Sequence, residues 1–182
     1  MIIDLSQTLS NTMPAFSLKG PDGVSRPFRA EIRPFLTHEQ SRPNYDGLAE
    51  FEITEFSCQT SIGTYLDSPR HRFAGGKDIA ALPLDSLILD GVLIDARLAS
   101  PDRPFALADL PVGLDLGGKA VLFHFGWDRF WGADSYFRYP FLARDILKYL
   151  VEARVGLVGV DTLNLDSRAE KDRPAHTWLL GE

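Results

Sequence analysis

The chain has 182 residues, 45% apolar and 24% charged, the composition of an ordinary soluble globular protein able to bury a core within one domain. A net charge of −6 without a basic cluster argues against nucleic acid or an anionic membrane as partner. Cys58 is the single cysteine, no apolar run approaches a membrane span of roughly 20 residues, and the opening turns acidic at Asp4, too soon for a signal peptide. A reducing cytoplasm is therefore expected.

In chain order, Ile2 to Leu5 reads as a short buried strand, and residues 17–27, rich in Gly, Pro, Ser and Lys, as a surface loop. Phe28, Ala30 and Ile32 alternate with polar neighbours, which predicts a half-buried strand. Arg33 to Gly47 contains Pro34 and Pro43 and is expected to be a long loop, with His38 an exposed loop histidine. Phe51 to Gln59 is rich in β-branched and aromatic residues and predicts a strand.

That strand feeds the densest chemistry in the chain, Ser61-Ile62-Gly63-Thr64-Tyr65-Leu66-Asp67-Ser68-Pro69-Arg70-His71. Gly63 permits a positive-φ turn, and Pro69 fixes φ nearby. Asp67 and His71 stand four positions apart, so they could share a metal, or one could orient the other for proton transfer. An ordinary polar turn with a salt-bridged Asp and an exposed His uses the same residues.

Beyond Gly75-Gly76, Asp78 to Pro83 reads as a loop or short helix, and Leu84 to Leu89 as another helical turn. Three apolar runs predict strands covered on both faces: Gly91 to Asp95, Ala120 to Phe125 and Leu157 to Asp161. Asp95, His124 and Asp161 lie at their carboxyl ends, where side chains either face a ligand or close hydrogen bonds. Gly126 to Trp131 is dense in aromatics, fit for a pocket, a core or an interface. Pro140 is expected to open a helix with Leu142, Ile146, Leu147 and Leu150 on one face, stopped at Gly156. Strand, helix and strand then read as a βαβ-like unit. Asp161 to Asp166 leads into a polar loop that ends at Arg173-Pro174-Ala175-His176.

Several of these stretches resemble the cyclase family that includes bacterial kynurenine formamidases. The family signature His-x-Gly-Thr-His-x-Asp-x-Pro-x-His is matched at Gly63-Thr64, Asp67, Pro69 and His71, while Ser61 and Tyr65 replace its two leading histidines. Asp4-Leu5-Ser6 with Met13-Pro14 is similar to the family's opening, and Asp161-Thr162 with His176 to its later strand end and metal-binding histidine.

The resemblance implies an α/β fold with a mixed β-sheet core and few outer helices, in a single cyclase-like domain over residues 1–182. It implies a homo-oligomer, a dimer, acting on a small-molecule substrate of aromatic character. It implies Asp67 and His176 as ligands of a divalent metal, zinc or manganese, with His71 as proton-transfer residue; Tyr65, standing at a histidine position, is kept as a second catalytic candidate for acid–base chemistry. The activity implied is hydrolysis of a small amide, ester or lactone, such as the N-formyl group removed in tryptophan catabolism. Ser61 and Tyr65 are poor zinc ligands. The family's carboxylate ligand lies on a further strand, roughly a dozen residues past the His176 position. Glu182 does not match it, so that closing strand is expected to be missing. A non-hydrolytic binding protein, or a metal-free acid–base lyase or cyclase using Asp67, His71 and Tyr65, are the alternatives.

Overall fold

The computed structural model describes residues 4–181. Ile2 and Ile3 of the expected opening strand, and Glu182, lie outside the described residues, and Asp4 and Leu5 are not in a strand. The chain divides into two compact units, Met1–Leu66 and Asp67–Glu182.

The first unit holds two antiparallel strand pairs. Strands β1 (Ser17–Lys19) and β2 (Ser25–Pro27) form a hairpin where a plain loop was expected. All six residues are exposed, so no apolar alternation announces the pair. Strand β3 (Ala30–Leu36) pairs with β4 (Ile53–Cys58) from Ala30 opposite Cys58 to Leu36 opposite Ile53. The register shifts between Pro34 and Leu36, as suits a residue with no N–H to give the ladder.

The expected long loop from Arg33 to Gly47 is instead the end of β3, helix α1 (His38–Ser41) and a 3₁₀ turn over Arg42–Tyr45. A capping box starts α1: the Gln40 N–H donates to Thr37 Oγ1 and the Thr37 N–H to Gln40 Oε1. Pro43 sits at the start of the 3₁₀ turn, where a missing donor costs nothing.

The second unit is built on a parallel sheet in the order β5 (Gly91–Asp95), β6 (Ala120–His124), β7 (Leu157–Val160). Val121 and Phe123 of the central strand are buried against Ile146, Leu147 and Leu150 of helix α3 (Arg144–Glu152). Burying each such side chain contributes about 1.5–3 kcal/mol relative to exposure. The βαβ unit is therefore present. The strands are not all covered on both faces, because Leu93 of β5 is 70% exposed while its neighbour Ile94 is 2% exposed.

Both ends of α3 differ from expectation. Residues 140–143 are not helical: the Phe105 N–H donates to Phe141 O, the Ala143 N–H to Phe105 O, and the Leu142 N–H to Leu165 O. These bonds hold the backbone extended and bury Leu142, so the apolar spacing there reflects core contact without a helix. At the other end Arg154, not Gly156, takes the left-handed conformation, with φ 52°. The Arg154 N–H donates to Val151 O and the Val155 N–H to Leu150 O, a Schellman ending without its usual glycine.

Helices α2 (Pro69–Arg72) and α4 (Pro174–Leu179) complete the second unit, with 3₁₀ turns over Ile79–Ala81 and Leu84–Leu87 as the sequence indicates. The architecture is α/β, with antiparallel pairs, a parallel sheet and few helices. Among the described residues no helix is long and apolar enough to cross a membrane.

Candidate metal and proton-transfer site

The Asp67 to His71 segment is an irregular stretch that passes into a single helical turn. Ser68 is extended and Pro69 occupies the first helical position, so one turn returns the chain and sets His71 beside Asp67. His71 Nδ1 lies 3.3 Å from Asp67 Oδ1. Gly76 allows the following chain to fold back on this turn: a Cβ there would meet the Pro69 carbonyl carbon at 2.6 Å. The Arg70 N–H donates to Lys77 O at 3.0 Å and closes the loop.

His176 enters from α4. Arg72 ties the two helices together, donating from Nε to Thr177 Oγ1 at 3.0 Å and from its terminal nitrogen to Asp172 O at 3.1 Å. His176 Nε2 stands 3.9 Å from Asp67 Oδ2, and the rings of His71 and His176 are 5.6 Å apart between centres. Asp67, His71 and His176 each offer one ligand atom, all within 4.8 Å of one another. The three residues singled out as metal ligands and proton carrier are thus brought together.

The sequence reading missed Asp166. It is fully buried, and its Oδ2 accepts a 2.5 Å hydrogen bond from His176 Nδ1–H. Its oxygens also accept from the backbone N–H groups of Ala175 at 2.6 Å and His176 at 3.4 Å, with Arg173 Nε 3.6 Å away. Burial alone would raise its pKa. The His176 hydrogen bond, the Ala175 N–H and the nearby His176 and Arg173 charges outweigh it and hold the carboxyl below its usual range. With Nδ1–H given to Asp166, Nε2 is the His176 nitrogen turned to Asp67, and in the neutral ring it carries the lone pair that an ion would use. An Asp in a polar loop, ten residues before a His, carries no spacing signature; the closure of the loop onto α4 is what pairs them.

Ser61 and Tyr65 belong to the first unit, where Ser61 is half-buried and Tyr65 is 43% exposed. Gly63 between them has φ 65°, and a Cβ there would meet Met13 Cε at 2.8 Å. Thr64 Oγ1 accepts from the Gln7 N–H at 2.9 Å. His38, expected in a loop, lies on α1, exposed, 3.8 Å from Glu50.

The strand-end groups close local bonds. Asp95 accepts two hydrogen bonds of 2.6 and 2.8 Å from the Arg97 guanidinium and one of 3.1 Å from its backbone N–H. Asp161 accepts from the N–H groups of Phe125 at 2.8 Å and Trp127 at 3.1 Å. Of the aromatics, Trp127 packs on Phe130 at 4.6 Å and against the core, and Trp131 meets Tyr136 edge-on at 5.2 Å.

The Cyclase family model, described as "Putative cyclase", matches residues 3–167. The chain belongs to the cyclase family. Among its curated relatives is a kynurenine formamidase of Erythrobacter litoralis (strain HTCC2594), 29% identical over 183 residues, covering 98% of this chain and 74% of the relative. The same fold occurs in a solved isatin hydrolase bound to the product analogue thioisatinate, with TM-score 0.73, 22% identity, and coverage of 98% and 74%. It also occurs in a structure titled a potential metal-dependent hydrolase with cyclase activity, with TM-score 0.71, 23% identity, and coverage of 98% and 76%.

In this cyclase-family chain the donor set suits a divalent ion. The Asp67 carboxylate and the His176 imidazole are ligands that zinc and manganese accept, they leave positions open for water or substrate, and His71 stands beside them for proton transfer. The buried Asp166 behind His176 is the kind of partner that orients a metal-binding imidazole.

Proposed function

We propose that the protein is a metal-dependent hydrolase of a small amide, ester or lactone, with arylformamidase-type chemistry on the N-formyl group of an aromatic amine. The observation that carries this reading is the convergence of Asp67, His71 and His176, backed by Asp166. The formamidase and isatin hydrolase among its relatives support the amide-hydrolysing class.

In this reading Asp67 and His176 hold a divalent ion, zinc or manganese. Such an ion, when bound, lowers the pKa of a water and polarises a carbonyl. His71 carries the proton. Its Nδ1 faces Asp67, so Nε2 takes the proton of the attacking water and returns it to the departing amine nitrogen as the C–N bond breaks. Formate and the free amine are the products. Tyr65, two positions before Asp67 where the signature has a histidine, is kept as a second catalytic candidate. A cytoplasmic homodimer fits the single cysteine and the family resemblance.

The test is turnover of formyl-anilides, including formylkynurenine, and of aryl esters and lactones, with and without chelation. Hydrolysis that falls on chelation, returns with zinc or manganese, and is lost in His71→Ala is the expected result. A second reading rests on Ser61 and Tyr65 in place of signature histidines: a small-molecule binder without turnover. Saturable binding of these compounds with no hydrolysis in metal-loaded protein would favour it over the first.

A further inference from the structure

We propose that His124, Asp128 and Asp161 form a second divalent-metal site, sharing no residue with the Asp67, His71 and His176 group. The parallel pairing of β6 and β7 sets Phe123 opposite Val160, and the next residue on each chain is His124 or Asp161. Side chains alternate along a strand, so the two project to one face. His124 Nε2 stands 3.9 Å from Asp161 Oδ2.

Asp128 opens the 3₁₀ turn Asp128–Phe130 and brings a second carboxylate. Each residue offers one ligand atom, and all lie within 4.8 Å of one another. Ligands about 2.1 Å from one tetrahedral ion stand about 3.4 Å apart, so modest rotations of the half-exposed His124 and exposed Asp128 close the set.

Two features make this more than a chance meeting of polar groups. Asp161 is held in place: Oδ1 accepts the Phe125 N–H at 2.8 Å and Oδ2 the Trp127 N–H at 3.1 Å. Each oxygen keeps a lone pair for an ion. Among the described residues, neither Asp128 nor Asp161 has a Lys or Arg within ion-pairing distance. The Arg97 guanidinium near this turn is already taken by Asp95. A dication supplies the missing positive charge. One imidazole and two carboxylates suit manganese, cobalt or zinc. The bound ion would pin the turn after β6 to the end of β7.

The test uses Co²⁺ as probe on metal-free His176→Ala protein, in which the first site is impaired. Calorimetry is expected to show about one Co²⁺ bound per chain, with a rise in Tm. Adding His124→Gln, or separately Asp128→Asn, is expected to weaken this binding at least tenfold and abolish the rise. Asp128 is exposed on a turn, so its variant keeps the fold even if the histidine variant does not. Absence of Co²⁺ binding in His176→Ala, or binding that neither further substitution changes, would overturn the proposal. Neither result bears on hydrolysis, which is read separately through His71.

Discussion

His176 Nδ1 lies 2.5 Å from Oδ2 of Asp166, and Asp166 is fully buried. That bond joins the polar loop after β7 to the first turn of α4, and so couples the candidate site to the core. Asp166→Ala would leave His176 without its partner and the start of α4 without an acceptor. Breaking such a buried pair is expected to cost about 3 kcal/mol or more, read as a lowered midpoint in urea. Asp166→Asn, which keeps an acceptor oxygen, should retain more stability but bind metal 10–100-fold more weakly by calorimetry.

His71 and His176 are expected to separate by readout. His71→Ala should lower kcat by about 10²–10⁴-fold while leaving metal content unchanged. His176→Ala should lose the ion held with Asp67 and activity together. Loss of metal in His71→Ala as well would make His71 a ligand in place of a proton carrier.

Much of this arrangement is legible in the sequence, for reasons that differ by element. The three parallel strands announce themselves as apolar runs around Val121 and Phe123 of β6, which are buried, although β7 is half-buried and β5 leaves Leu93 exposed. Asp67 and His71 are legible because one helical turn after Pro69 is a local event. The β1–β2 hairpin is not, since exposed strands need no apolar pattern. The false helix start at Pro140 has the opposite cause: Leu142 is apolar for the core, yet its backbone bonds to Leu165 across the chain. Asp166 depends on contacts made only after folding, and no local signal marks it.

Arg154 occupies the left-handed position that ends α3. A side chain there costs about 1 kcal/mol that glycine does not. Arg154→Gly is expected to raise stability by several tenths to about 1 kcal/mol, seen as a higher Tm. A fall in Tm would mean the arginine side chain makes compensating contacts.

Asp109 gives a pH prediction. The Ala106 N–H donates to it at 3.0 Å, and with Arg103 beside it this holds the carboxyl below its usual range. A carboxylate with a depressed pKa in the folded state adds stability that is present above the unfolded value, about pH 4, and is lost as pH falls through the folded value. The stability advantage of the parent over Asp109→Asn should therefore be constant from pH 5 to 7, in this order-of-magnitude sense of about one pH unit above titration, and shrink toward acid. Denaturant melts at each pH read it.

The most direct test of the account is elemental mass spectrometry of purified, unchelated protein beside its Asp67→Ala variant. The account predicts about one more zinc or manganese ion per chain in the parent than in the variant. Equal metal content in the two proteins, or none in either, would contradict a hydrolytic site built on Asp67 and His176.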